Sequence, residues 1–396
     1  MPERALTAVL LPRPEAARAA AERWDEGEAV CVLDPDAPAE TTTRLLDQLA
    51  PTHVLDHDGR HRHAGGRPVP EGTAAVVVTS GTTGTPKLVQ LTEAGAASIG
   101  RGFGHALGVE PDDRALVCVP LHHVAGLAIL ARARVTGTPV IVHPSFDLSA
   151  VAAAPAEEGA TLVSLVPTML ARLLAADAPL HAFRTLVLGG APLPPALRER
   201  ATARGARVVD AYGLSETWGG FVLDGKPLDD AEVVIDTNGE NSAKPGEILV
   251  RGPMVMSGYR DDPDATAAAF TDGWLRTGDL GTIDDDGTVR VVDRLKDIIL
   301  TGGVNVSPTA VEAVLARAPG VRDVCVVGMP DPEWGERVVA FVVPVAADQP
   351  PTLDGLRAFA GEQLTRSQLP KEVVLVDAIP RTPGGKPLRR VLRTSA

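Results

Sequence analysis

The chain is 396 residues long, 44% hydrophobic and 22% charged, with a formal net charge of −13 at pH 7. That length supports two or three domains with real cores, and the hydrophobic share is that of a globular chain, which excludes disorder as the default. The acidic balance repels polyanions, so no nucleic-acid partner is expected. The three cysteines, Cys31, Cys118 and Cys325, lie far apart, so neither a disulfide framework nor a zinc site is expected, and buried thiols in a reducing compartment are. Met1 to Leu11 includes acidic Glu3 and stops at Pro12, unlike the basic-then-apolar order of a signal peptide. No run approaches the roughly 20 apolar residues of a membrane span. A cytoplasmic location is the expectation.

In chain order, the first cluster is His53, His57, His61 and His63 with Asp56 and Asp58. Gly59, Gly65, Gly66, Pro68 and Pro70 surround it, so it reads as a solvated turn rather than a metal site. The apolar run Ala74 to Val78 reads as a strand and leads directly into Thr79-Ser80-Gly81-Thr82-Thr83-Gly84-Thr85-Pro86-Lys87. Small hydroxylated residues let N–H and O–H groups converge on phosphate oxygens, glycines accept unusual backbone angles, and Lys87 adds positive charge. A Walker loop needs its lysine directly after the second glycine and then Ser or Thr. Here Thr85 and Pro86 intervene and Leu88 follows, so a P-loop kinase or motor is excluded.

From there to about residue 220, short β-rich runs alternate with helical patterns. Ala115 to Val119, Val140 to Val142, Leu162 to Leu165, Thr185 to Leu188 and Arg207 to Val209 read as strands. Pro167 opens a helix with Met169, Leu170, Leu173 and Leu174 on one face, and Pro194 to Arg204 reads as another. Such alternation implies βαβ units and parallel sheet with functional loops at strand ends. After about residue 225 shorter strands take over, including Glu247 to Arg251 and Thr288 to Val292. Near Asp293 to Lys296 the texture shifts again. Strands at Val324 to Val327 and Val338 to Val343 with a helix at Leu353 to Leu364 suggest a small α+β domain. The expected fold class is α/β: a large N-terminal domain (1–295) of βαβ layers plus a β-rich subdomain, then a small mobile α+β domain (296–396). Arg381 to Arg393 is the one basic cluster near a terminus, and Lys386 lies inside it.

Further motifs follow in order: Gly189-Gly190-Ala191-Pro192, Tyr212-Gly213-Leu214-Ser215-Glu216-Thr217, Gly273 to Asp279, Asp293-Arg294-Leu295-Lys296-Asp297 and Pro383-Gly384-Gly385-Lys386. With the Thr79–Lys87 loop they resemble, over about residues 74 to 390, the adenylate-forming acyl-CoA ligases. The resemblance implies that ATP converts an inert carboxylate to an acyl-adenylate with loss of pyrophosphate, after which the thiol of CoA displaces AMP. It implies ATP, Mg2+ and CoA as cofactors, with Glu216 as the Mg2+ ligand in keeping with a hard cation's taste for oxygen. Tyr212 would stack on adenine with Gly189, Gly190 and Ala191 close to the base, and Asp210, Gly213, Ser215 and Thr217 belong to the same nucleotide-binding set. Asp279 and Arg294 would hold the ribose. Lys386 would reach the forming adenylate, Lys296 would be the hinge between the domains, and Gly302 and Gly303 would meet CoA after the small domain swings.

The segment Pro120 to Leu127 with His122 and His123, followed by Arg132, together with Ser164 to Thr168 and Tyr212 to Asp224, is most similar to the o-succinylbenzoate-CoA ligases of menaquinone biosynthesis within that family. That substrate has two carboxylates and only the succinyl one is activated. The resemblance makes Arg132 the holder of the other, a task suited to a bidentate guanidinium, with Arg134 facing elsewhere. His123 would sit at the acyl-pocket entrance, and Ser164 and Gly190 on its wall. Trp218 and Phe221 replace smaller residues of the pattern and are expected to narrow the pocket. A ligase for another aryl or short-chain acid is the alternative. A non-catalytic nucleotide sensor is disfavoured because Lys386 and Glu216 are both present. A carrier-loading synthetase domain is disfavoured as well. Small-molecule acid, ATP and CoA are the expected partners, with a homodimer left open.

Overall fold

The computed structural model describes residues 2–79, 86–237, 245–381 and 385–394. Its chain forms two compact units, Met1–Val233 with Val250–Arg276, and Val234–Leu249 with Thr277–Ala396.

The larger unit contains two seven-stranded mixed sheets. In the first, spatial order runs Gly258–Tyr259, Lys87–Thr92, Thr73–Thr79, Ala29–Val32, Leu6–Val9, His53–Asp56, Gly59–Arg62. The middle strands are parallel, while the strand after the phosphate-type loop returns antiparallel, with Thr79 opposite Lys87. The Ser80–Gly84 stretch lies outside the described residues. The layering begins at Leu6, far earlier than residue 74. The Arg13–Asp25 helix, opened by Pro14 in its first turn, buries Ala16, Ala17, Ala20 and Trp24. The histidine cluster is another hairpin, His53–Asp56 against Gly59–Arg62, and no group of three or more His, Cys, Asp or Glu among the described residues has metal-binding geometry.

The second sheet runs Val140–Val142, Ala115–Val117, Leu162–Leu165, Thr185–Gly189, Val208–Leu214, Gly219–Leu223, Lys226–Pro227. Its first five strands are parallel and the last two antiparallel. Inner parallel strands covered on both faces read as mainly apolar runs, which is why Leu162–Leu165 and Thr185–Leu188 fall where the sequence places them, and Val140–Val142 is the half-buried edge strand. The Pro167–Ala175 helix starts on its proline and buries Leu170, Leu173 and Leu174 in a core shared with Leu116, Leu165, Leu186 and Leu188. The Glu93–Leu107 and Val124–Thr136 helices pack on each other. A Cβ at Gly100 would stand 2.5 Å from Val135 Cβ, so only glycine permits that approach. Thr92 caps the first of these helices by accepting from Gly95 N–H at 3.0 Å.

The smaller unit is built on the hairpin Val321–Asp331 with Gly335–Pro344. Glu372–Leu375 adds in parallel, and the hairpin Ile299–Thr301 with Val304–Val306 borders it. The Pro308–Leu315 helix is capped by Ser307 Oγ, and Leu353–Ala360 by Thr352. Val311, Leu315, Val326, Val338 and Leu356 form the core between helices and sheet. Within the same unit Asp279 to Ile283 pairs antiparallel with Val289 to Arg294. The fold is the large-plus-small α/β arrangement expected from the sequence. All three cysteines are free and buried, and burial pushes each thiol up to about 12. Among the described residues no helix is long and apolar enough to cross a membrane.

Candidate active site

In the larger unit the expected site residues gather at the C-terminal ends of the second sheet, where open α/β sheets bind ligands. Gly189 ends its strand opposite Ala211, and Gly190 follows with φ of 80°, a turn that exposes backbone beside Val166; Ala191 comes next. Tyr212 lies in the neighbouring strand, its ring 5.2 Å from that of Phe221 and tilted by 57°. Phe221 is wholly buried and so backs the tyrosine rather than narrowing a pocket. A Cβ on Gly213 would fall 1.7 Å from Gly219 O, so the bulge there requires glycine. Asp210 is half-buried and its pKa is raised by burial.

The strand runs into the short 3-10 turn Ser215–Thr217. Thr217 Oγ1 accepts from Leu214 N–H at 3.0 Å and donates to Gly219 O at 2.7 Å, so this buried hydroxyl shapes the turn that presents Glu216. Trp218, at φ 56°, is fully buried and donates from Nε1 to Thr92 O at 2.9 Å. It packs against Gly95, away from the pocket the sequence expected it to narrow. Glu216 Oε1 accepts from Tyr259 Oη at 2.9 Å, and Lys87 Nζ stands 4.3 Å above the centre of the same ring. Thr79 Oγ1 lies 3.4 Å from Lys87 O. Ser80, Gly81, Thr82, Thr83 and Gly84 lie outside the described residues.

The Val124–Thr136 helix supplies the acyl side. His123 is its N-terminal cap residue, and its ring meets His122 edge-on at 4.5 Å. Desolvation, then the His122 ring, lowers its pKa to about 4, so at neutral pH it is uncharged even though the residue is exposed. Arg132 lies nine residues on, about 13 Å deeper along the helix axis. Its guanidinium sits 4.1 Å over the Phe103 ring with Nη2 3.4 Å from Ser164 Oγ, and burial lowers its pKa to about 10. It has no carboxylate within ion-pair distance among the described residues. Beside it is a cavity of about 40 Å3 lined by Phe103, Leu107, Leu116, Ile129 and Val163. Arg134 points the other way and pairs with Asp25 at the surface.

In the smaller unit, Arg294 Nε donates to Asp279 Oδ1 at 2.9 Å across the strand pair that sets them opposite each other. Asp279 is buried and Arg294 half-exposed. Lys386 stands in their electrostatic neighbourhood. Burial first, then the positive charges of Arg294 and Lys296, lower its pKa to about 8, with Asp297 and Asp279 opposing. Burial followed by Arg294 lowers that of Lys296 as well. Thus Asp279, Arg294, Lys296 and Lys386, scattered over 108 positions, are near one another. Two arginines brace the lysine: Arg381 donates to Gly385 O at 3.0 Å and grips Asp323, and buried Arg389 grips Glu312 at 2.7 and 2.9 Å. Pro383 and Gly384 lie outside the described residues. Gly302 and Gly303, at φ 56° and 77°, form an exposed hairpin turn against Trp334. Sequence reasoning missed Tyr259 and Phe103. The one available signal for Tyr259 was rarity, since Tyr212 and Tyr259 are the chain's two tyrosines.

Residues 5–260 match the model of the AMP-binding enzyme family, and residues 310–386 match that of the AMP-binding enzyme C-terminal domain. A 2-succinylbenzoate–CoA ligase of Bacillus velezensis is 38% identical over 81% of this chain and 69% of its own length. A long-chain-fatty-acid–CoA ligase of Mycobacterium tuberculosis is 37% identical over 80% of this chain and 66% of its own. The structure of o-succinylbenzoate CoA synthetase from Bacillus subtilis in complex with the acyl-adenylate intermediate superposes with a TM-score of 0.87 at 30% identity, covering 98% of this chain and 88% of that one. The chain belongs to the AMP-binding enzyme family of adenylate-forming acyl-CoA ligases.

Proposed function

We propose that this chain activates 2-succinylbenzoate with ATP, releasing pyrophosphate, and transfers the acyl group from the adenylate to CoA, as a cytoplasmic step of menaquinone biosynthesis. The observation that carries the substrate is Arg132. A desolvated cation without an anion is costly, and this one lies beside a cavity lined mostly by apolar side chains, on the helix that His123 caps. A long-chain fatty acid has one carboxylate, which the chemistry consumes, and leaves Arg132 unpaired. An acid with a second carboxylate on a rigid ring satisfies it while its succinyl end lies near the strand ends.

The nucleotide half follows from the remaining residues. Tyr212, backed by Phe221, offers a flat face to adenine beside Gly189, Gly190 and Ala191. Asp279, oriented by Arg294, accepts the ribose hydroxyls. The Ser80 to Gly84 stretch and Lys87 take the phosphates. Glu216 presents hard carboxylate oxygens that suit Mg2+, which when bound offsets the phosphate charge. The protonated Lys386 ammonium stabilises charge that develops as the acid attacks the α-phosphorus. We assign the domain boundary to Lys296, so that residues 296–396 turn about it to exchange Lys386 for the Gly302-Gly303 turn when CoA reacts. A Lys296→Pro variant is expected to slow thioester formation from supplied acyl-adenylate, measured by single-turnover mixing; a normal rate contradicts the pivot.

Acid–base behaviour follows from the shifted lysine. Adenylation needs Lys386 protonated, so kcat/KM for ATP falls as pH rises through about 8. Lys386→Arg moves that limb beyond the measurable range. His123, neutral above about 4, contributes no acid limb near pH 6. A free-enzyme profile flat through pH 9 contradicts the assignment. The reaction itself is tested by following CoA thioesters with ATP, Mg2+ and a panel of 2-succinylbenzoate, benzoates and fatty acids. The first acid is expected to dominate in kcat/KM, and dominance of benzoate or a fatty acid overturns the substrate while leaving the family standing.

A further inference from the structure

Glu216 is held by more than its own turn. Its backbone C=O accepts from Met256 N–H at 2.7 Å, and its Oε1 from Tyr259 Oη at 2.9 Å. Tyr259 is buried and fixed on several sides. It lies in a two-residue strand paired antiparallel with Lys87–Thr92, opposite Val89. Its N–H donates to Thr266 Oγ1 at 2.9 Å. The next residue, Arg260, is buried and donates to the carbonyls of Leu49, Ala50, Pro68 and Arg67. The ring has little freedom to move. Its two faces of chemistry are both in use: the hydroxyl holds the glutamate carboxylate, and the π surface holds the Lys87 ammonium, 4.3 Å from the centroid.

We infer that Tyr259 is a positioning residue for the triphosphate, coupling the lysine of the phosphate loop to the carboxylate that meets the metal. Tyrosine alone among side chains offers a hydroxyl donor and an extended π face together. The hydroxyl occupies one lone pair of Oε1 and restrains the carboxylate, whose remaining oxygen lone pairs would be available to hold Mg2+. Such outer partners tune metal affinity because they limit the orientations a ligand can take. The ring keeps the long lysine chain from wandering, so less side-chain entropy is lost when phosphate arrives. This inference rests on the assignment of Glu216 and Lys87 to the nucleotide, and it is independent of which acid is activated.

The test is calorimetric titration of the full chain with MgATP, and separately with AMP without magnesium, in the absence of any acid. Tyr259→Phe keeps the ring and the core but deletes the donor. MgATP affinity is expected to fall about 10- to 100-fold, the range for loss of an outer-shell partner. AMP affinity, which involves neither the ion nor the outer phosphates, is expected to stay within about twofold of wild type, a change below 0.5 kcal/mol at RT ln 2. A role confined to folding lowers both affinities together, and that result, or an unchanged MgATP affinity, overturns the inference. In a Glu216→Gln background the same Phe substitution is expected to cost MgATP little, as non-additivity demands of contacting residues; an equal cost in both backgrounds shows that the hydroxyl acts elsewhere and also overturns it. A wild-type chain that binds neither nucleotide sinks the adenylation reading itself.

Discussion

Lys386→Ala is expected to lower adenylation by about 10²- to 10³-fold, the loss typical when one preorganised charge at a developing oxyanion is removed. Thioester formation from supplied acyl-adenylate is expected to continue at near the wild-type rate. The split follows from where the lysine stands. It shares its surroundings with Asp279, Arg294 and Lys296, the residues assigned to the ribose and the pivot, and is braced by Arg381 on Asp323 and Arg389 on Glu312. Rapid-quench measurement of each half-reaction checks it, and equal loss of both halves removes the assigned role. The lowered pKa is part of the same picture. A cation crowded by Arg294 and Lys296 and partly desolvated is destabilised before ATP arrives, so triphosphate binding relieves that cost.

Arg132→Leu is expected to cut kcat/KM for 2-succinylbenzoate by about 10²- to 10³-fold, the range for truncating one member of a desolvated charge pair. The same substitution is expected to raise the melting temperature of the unliganded protein, because it replaces a desolvated cation by an apolar side chain among Phe103, Leu107 and Ile129. Loss of activity with gain of stability is the signature of a residue kept for its ligand. Arg132→Lys keeps the charge but not the fork and is expected to recover only part of the activity. Removing the guanidinium also joins its space to the adjacent cavity of about 40 Å3, so acids with a short alkyl tail gain relative to the dicarboxylate. A melting temperature that falls with unchanged substrate preference contradicts the assignment.

Much of the second sheet was legible in the sequence because its inner strands are buried and its half-buried edge strand is also β-branched and apolar. Leu162–Leu165 and Val140–Val142 are apolar runs bounded by turns, and Pro167 marks its helix start by local chemistry alone. The opening βαβ layer was not read, although it has the same architecture. Its first helix is mostly alanine, arginine and glutamate, with Trp24 its one large apolar residue, and alanine buries without producing an apolar stripe that periodicity detects. The antiparallel returns at Lys87–Thr92 and Gly219–Leu223, the second made by the short turn Ser215–Thr217, leave no mark in the side-chain pattern, so alternation alone suggested parallel sheet.

The site divides along a similar line. Glu216, Tyr212, Asp279 and Lys386 sit in short motifs whose order carries the family. Tyr259 sits in none, and its partners Glu216 and Lys87 lie 43 and 172 positions away in sequence. The basic cluster from Arg381 to Arg393 has no acidic residue within its own stretch; only folding brings Asp323 and Glu312 to it. Trp218 looked like a pocket residue because it follows the Glu-Thr pair, but its left-handed backbone turns the indole under Thr92. Arg132 could be named from resemblance, whereas its isolation from any carboxylate among the described residues, the fact that gives it meaning, exists only in three dimensions.

The most direct measurement is exchange of labelled pyrophosphate into ATP by the full chain without CoA, across the same acids. Exchange that depends on 2-succinylbenzoate, and that Arg132→Leu abolishes while sparing AMP binding, is the predicted result. Exchange supported equally by monocarboxylates, or by no acid at all, contradicts the account.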